Sequence, residues 1–143
     1  TRVVVVGEKD SLSFRAAKLG SNSTITFTGR VNDNELRALY ETAVVFVFPS
    51  VYEGFGLPPL EAMAAGCPVV ASRSASIPEV CDDAAAYFAP QDVAAMCDQV
   101  ERVLGDTAYR NDLVRRGREN VTRYSWSKSV DLLLAHLRSI DED

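Results

Sequence analysis

The stretch Ser50-Val51-Tyr52-Glu53-Gly54-Phe55-Gly56-Leu57-Pro58-Pro59-Leu60-Glu61 sets two acids around two glycines, next to a pair of prolines. Glycine adopts backbone shapes barred to other residues and lets a ligand approach the main chain closely. A helix opened by Pro58 points unpaired amides and the positive end of its dipole at what precedes it. Such groups can cradle a phosphate. Glu53 and Glu61 need other work, because carboxylates repel phosphate. Each can accept two hydrogen bonds, which suits neighbouring hydroxyls on a ribose or a hexose. Plainer readings stand beside these: a glycine turn that only reverses the chain, a turn acid at Glu53, and a solvated helix acid at Glu61.

The flanking segments say where this stretch must lie. Val44 to Phe48 is an almost wholly apolar strand, and Pro49 ends it. A helix from Pro58 to Ala65 is closed by Gly66. Pro68 opens the strand Val69-Val70-Ala71. Earlier, Val3-Val4-Val5-Val6 is a β-branched run suited to a strand covered on both faces. Leu12 to Leu19 is a short helix candidate, Ile25 to Thr28 a strand, and Asn32 or Asp33 caps a helix through Tyr40. Ser76 to Val80 predicts one or two helical turns, and Ala86-Tyr87-Phe88 a short strand. This alternation predicts an α/β fold: an open parallel Rossmann-like sheet with helices on both faces. Ligands bind such sheets outside the carboxyl ends of the strands, which is where Ser50 to Leu57 falls. From Asp92 onward the pattern is helical only, so residues 92–143 read as a helical tail.

Other loops leave the same edge. Ser72-Arg73-Ser74-Ala75-Ser76 offers hydroxyls to further polar groups, and Glu79 is either a ligand contact or a helix-opening carboxylate. Gly29-Arg30-Val31 follows a strand, with Arg30 a candidate for anion or base contact; Gly7 and Lys9 are weaker candidates. Several familiar sites are excluded. Gly54-Phe55-Gly56 lacks the third glycine of the dinucleotide fingerprint, because Pro59 stands there. No serine sits in a nucleophile elbow. His136, the only histidine, reads as a surface residue of the last helix, and Cys67 as packing. Tyr124, Trp126 and Phe88 read as helix anchors.

The bulk properties agree with one globular domain: 143 residues, 47% hydrophobic, 24% charged. A net charge of -5 argues against a nucleic-acid partner. Three cysteines without metal spacing point to a reducing, cytoplasmic compartment. The immediate start in a strand reads as a domain cut from something longer, and Asp141-Glu142-Asp143 as a polar stop.

With these residues in view, the chain resembles the C-terminal nucleotide-sugar-binding domain of the retaining glycosyltransferases of family 4, the sucrose-synthase and bacterial mannosyltransferase group with the two-domain GT-B fold. Matching stretches are Phe27 to Val31, Phe48 to Ser50, Glu53 to Pro58, Leu60 to Ala64, Gly66 to Ser72, Ile77 to Val80, Asp83 to Ala85 and Tyr124 to Trp126. The two glutamates with seven residues between them are the most specific element. The resemblance implies that Glu61 grips the ribose of the nucleotide and that Glu53 positions the donor hexose and steadies developing positive charge. It implies that Gly54 and the amides of Phe55, Gly56 and Leu57 meet sugar and diphosphate. Gly29, Arg30 and Val31 are expected near the base. No metal and no cofactor are implied; the donor is a nucleotide-diphosphate sugar, GDP-mannose first and a UDP-hexose as the alternative. The acceptor is expected to be a glycan or lipid-linked molecule held by another domain, with peripheral contact to the inner face of the cytoplasmic membrane. A non-catalytic nucleotide-sugar-binding module is the other alternative.

Departures matter. Ala75 and Ser76 stand where many relatives carry two glycines. The resemblance implies that residues 1–143 do not include the usual first strand and helix of the domain, with an Arg and a Lys for the diphosphate, or the acceptor domain with its histidine. Residues 1–143 alone are therefore expected to bind donor weakly and transfer nothing, because positive charge is needed where the diphosphate departs.

Overall fold

The structure is a computed structural model and describes residues 2–7 and 24–141. It divides into two compact units, Thr1–Leu39 and Tyr40–Asp143. The helix expected over Leu12 to Leu19, and Lys9, lie outside the described residues.

In the first unit β1 (Val3–Val5) pairs in parallel with β2 (Ile25–Phe27), Val3 opposite Ile25 and Val5 opposite Phe27. Gly7 N–H donates to the Gly29 carbonyl at 3.0 Å just past these strands. The valines were expected to be covered on both faces, yet Val3 and Val4 stay about half exposed, at 49% and 47%. The only described strand beside β1 is β2. Helix α1 (Asp33–Thr42) opens with a reciprocal cap and carries the chain into the second unit. Glu35 N–H donates to Asn32 Oδ1 at 3.0 Å, and Asn32 N–H to Glu35 Oε2 at 2.8 Å.

The second unit is built on three parallel strands in the order β3 (Phe46–Phe48), β4 (Val69–Ser72), β5 (Ala85–Phe88). The parallel α/β architecture read from the sequence is thus present, among the described residues as one sheet of two strands and one of three. β4 is central and every residue in it is at most 1% exposed, which its unbroken apolar run requires. On one face Val70, Ala86 and Phe88 pack with Val103, Leu113, Met96 and Val100. Those side chains come from α4 (Val93–Gly105) and α5 (Thr107–Val121), and the spacing of 96, 100 and 103 places them on one helical stripe. Helix α2 (Leu57–Ala64) packs on β3, β4 and α5. Its approach to α5 depends on a missing side chain: a Cβ on Gly117 would stand 3.1 Å from Met63 Cγ.

Helix boundaries follow local chemistry. Gly66, at φ 79, lets Gly66 N–H reach Met63 O and Cys67 N–H reach Ala62 O, which satisfies the last carbonyls of α2. Asp92 caps α4 through Ala95 N–H, and Asp106 caps α5 through Tyr109 N–H, each at 2.9 Å. Between β4 and β5 lie α3 (Ile77–Cys81) and a 3-10 turn (Asp82–Ala84). The last helix, α6 (Trp126–Asp141), accepts a cap from Ser125 to Lys128 N–H at 3.1 Å. It leaves Trp126 84% exposed and Leu132 72% exposed, so Trp126 does not act as the helix anchor expected of it. Cys67 and Cys81 are buried, and burial pushes both thiols up to about 11, away from thiolate chemistry; Cys97 is exposed. Among the described residues no helix is long and apolar enough to cross a membrane.

Candidate functional site

β3 and β4 are parallel neighbours, with Phe48 opposite Ala71, so the chain leaves both strands at the same edge. The loop from Pro49 to Gly56 and the loop from Arg73 to Ser76 therefore rise side by side. Serine hydroxyls join them. Ser74 Oγ donates to the Ser50 carbonyl at 2.8 Å, and Ser72 Oγ donates to that carbonyl as well. Ser76 Oγ lies 2.9 Å from the Glu53 carbonyl and 3.0 Å from the Phe55 carbonyl. These hydroxyls, expected to be offered to further polar groups, give their protons to the main chain of the neighbouring loop instead. Short polar side chains in adjacent loops find unpaired carbonyls nearby, and leaving such groups unpaired is costly.

The same loop leaves several main-chain donors over, Gly56 among them although it is buried. Among the described residues the N–H groups of Gly54, Phe55, Gly56 and Leu57 have no protein acceptor. The expected amide-rich first turn of α2 is narrower than its position suggests. Pro58 and Pro59 have no N–H, so Leu57 supplies the one free donor of that turn. The donor-rich stretch is therefore a loop feature more than a helix feature. Gly56 closes it at φ 100, and a Cβ there would meet Ile77 Cδ1 at 2.5 Å. Gly54 meets nothing within 4 Å.

Glu53 is half-buried, and Ser50 Oγ donates to its Oε1 at 2.8 Å. That bond fixes the carboxylate beside the amides while leaving its second oxygen for other donors. Glu61 is exposed on α2, one turn in, beside the buried phenol of Tyr40. Burial chiefly, then the negative charges of Glu61 and Cys67 and a hydrogen bond with Glu61, push Tyr40 up to about 12. Tyr40 also packs edge-on against Phe46, with ring centroids 5.1 Å apart. No spacing rule links positions 40 and 61, and the sequence carried no signal for this pair.

Tyr40 gives a pH prediction. An unfolded tyrosine loses its proton near 10, and the folded one holds it to about 12. The stability from this difference is complete below pH 10 and is lost as pH rises through 12. Tyr40→Phe should make the alkaline decline of stability shallower, measured as urea midpoints from pH 9 to 12. Parallel curves for parent and variant would contradict the assignment. Tyr87 is raised too, mainly by burial, so some decline should remain.

Gly29, Arg30 and Val31 belong to the first unit, directly after β2, with Arg30 exposed. Glu79 is exposed in the first turn of α3, and His136 is exposed on α6. Phe55 of the loop meets Tyr124 edge-on with centroids 5.7 Å apart, and Tyr124 Oη donates to the Val80 carbonyl at 3.1 Å. Tyr124 was read only as a helix anchor; its contact with the glycine loop was missed. A shallow depression of about 460 Å³ on α5, lined by Asn111, Arg115, Arg118 and Glu119 among others, involves none of the candidate residues. Among the described residues no three acids, histidines or cysteines come together as a metal-binding group.

The chain is similar to several known proteins. Over 114 residues the chain is 40% identical to the serotype-specific mannosyltransferase WbdA of Escherichia coli, which covers 80% of this chain and 14% of that protein. It is 34% identical to the sulfoquinovosyl transferase SQD2 of Arabidopsis thaliana, over 76% of this chain and 22% of that one. The structure superposes on sucrose-phosphate synthase from Thermosynechococcus elongatus with a TM-score of 0.83 and 28% identity, covering 99% of this chain and 39% of that one. The chain thus spans well under half the length of these proteins and corresponds to part of a GT-B fold. The model of the family "Glycosyl transferases group 1" matches residues 1–120. This chain belongs to the group 1 glycosyl transferases.

Proposed function

We propose that this chain is the donor-binding part of a retaining hexosyltransferase that uses a nucleotide-diphosphate sugar. The observation that carries the reading is the serine-pinned loop. It offers unpartnered amides between two carboxylates at the carboxyl edge of a parallel sheet. In this reading Glu61 accepts the ribose hydroxyls and Glu53 the hexose hydroxyls, while the amides of Gly54 to Leu57 receive diphosphate oxygens. Gly29, Arg30 and Val31 are assigned to the base. The bond from the anomeric carbon to the diphosphate oxygen breaks with its electron pair on the diphosphate. The acceptor oxygen bonds to that carbon from the same face, and its proton passes to a phosphate oxygen. Glu53 steadies positive charge on the sugar as this happens. Acceptor recognition is assigned to residues outside this chain, and a lipid-linked acceptor would bring the enzyme to the inner face of the cytoplasmic membrane.

GDP-mannose was the first expectation for the donor, and relatives named as mannosyltransferases support it. A relative named for sulfoquinovosyl transfer stands at similar identity, so likeness at this level does not single out mannose. The reading therefore rests on a nucleotide-diphosphate hexose, with UDP-hexoses tested on equal terms. The test is a panel of GDP-mannose, UDP-glucose and UDP-galactose with the full-length protein, scored for released nucleoside diphosphate and for transfer. Turnover of one or more donors is expected. Donor binding without turnover would make the protein a non-catalytic module, and no binding of any donor would end the reading.

A further inference from the structure

We infer that Ser76 is a positioning residue that presents the amides of Gly54 and Gly56 to the donor diphosphate, an inference that rests on the function proposed above. Ser76 stands at the N-cap of α3, immediately before Ile77, where a serine normally caps its own helix, yet it makes no such bond. Its hydroxyl crosses to the other loop and is shared between the carbonyls of Glu53 at 2.9 Å and Phe55 at 3.0 Å. In a trans peptide the C=O and the following N–H point in opposite directions. The described peptide bonds are all trans. Holding the Glu53 carbonyl thus turns Gly54 N–H away from Ser76, and holding the Phe55 carbonyl does the same for Gly56 N–H. Neither N–H has a protein acceptor among the described residues. One side chain therefore sets two peptide planes on either side of Phe55.

The turn that aims Ser76 is itself strained. Ala75 sits at φ 44, a left-handed conformation that an alanine rarely adopts. Such strain persists only where surrounding contacts hold it. The two bonds of Ser76, together with Ile77 packed fully buried against Gly56, are those contacts. Donors held in place before the ligand arrives need no reorganisation when it binds.

The test measures binding of UDP and GDP, and of uridine and guanosine, to full-length parent, Ser76→Ala and Ser76→Thr. Whichever nucleoside diphosphate the parent binds should bind Ser76→Ala roughly tenfold more weakly, the scale of one lost hydrogen bond. The matching nucleoside should bind both proteins alike, and Ser76→Thr should recover most of the diphosphate affinity. Parental diphosphate affinity in Ser76→Ala overturns the inference. So does an equal loss for nucleoside and diphosphate, which marks a merely structural role, or a failure of threonine to restore binding. A parent that binds neither diphosphate overturns the proposed function as well, and so separates the two failures.

Discussion

Gly56→Ala should lower the melting temperature by on the order of 10 °C, whereas Gly54→Ala should leave it almost unchanged. The added methyl at position 56 would lie 2.5 Å from Ile77 Cδ1, and Ile77 is 0% exposed, so the isoleucine has little room to turn. Overpacking of this kind costs about 1–3 kcal/mol. The backbone at φ 100 adds roughly 1–2 kcal/mol for any residue with a Cβ. At position 54 neither term applies, because nothing lies within 4 Å. The pair then separates folding from function. Gly54→Ala should weaken donor binding at least tenfold, by placing a methyl where the diphosphate lies, while melting like the parent. Calorimetric melting and donor titration on the same two variants check both halves. Parental donor affinity in Gly54→Ala would mean that no ligand approaches the loop there.

Replacing the two acids should give different kinetic signatures. Glu61→Gln should weaken nucleotide and nucleotide sugar alike by roughly 10- to 100-fold, the scale of hydrogen bonds to a charged acceptor. Glu61 is on a helix and its carboxylate is steadied by Tyr40, so the variant should keep the parent fold. Glu53→Gln should instead reduce kcat by roughly 100- to 1000-fold with a smaller change in donor KM, because its charge matters most as the sugar becomes positive. Ser50 would still hold the amide oxygen in place. Steady-state kinetics with the best donor of the panel distinguish these outcomes. Two variants with the same effect on kcat and KM would remove the division of labour between Glu53 and Glu61.

The elements that carry these residues were legible because their signals are local. An apolar run of three, Val69 to Ala71 between Pro68 and Ser72, became the buried strand β4. Aspartates at 92 and 106 and a serine at 125 became caps as their positions require. The glycine stretch fell at the carboxyl edge of a parallel strand, as the order of elements demanded. What failed was everything set by side-chain direction across loops. Nothing in Ser72-Arg73-Ser74-Ala75-Ser76 says whether its hydroxyls point to solvent or to the next loop. The Tyr40–Glu61 and Phe55–Tyr124 contacts join distant residues, and only the packed fold brings them together. One misreading was avoidable: two adjacent prolines remove two donors from a helix start, and Pro58-Pro59 is plain in the sequence.

That proline pair has a further consequence. With the helix start reduced to Leu57, the proposed anion cradle consists of main-chain N–H groups of neutral residues. Peptide amides keep their protons across the whole working range of an enzyme. Acidity changes therefore leave these amides the same, and under the proposed function any titration of donor capture is expected to come from the phosphates of the donor or from side chains beyond the amides.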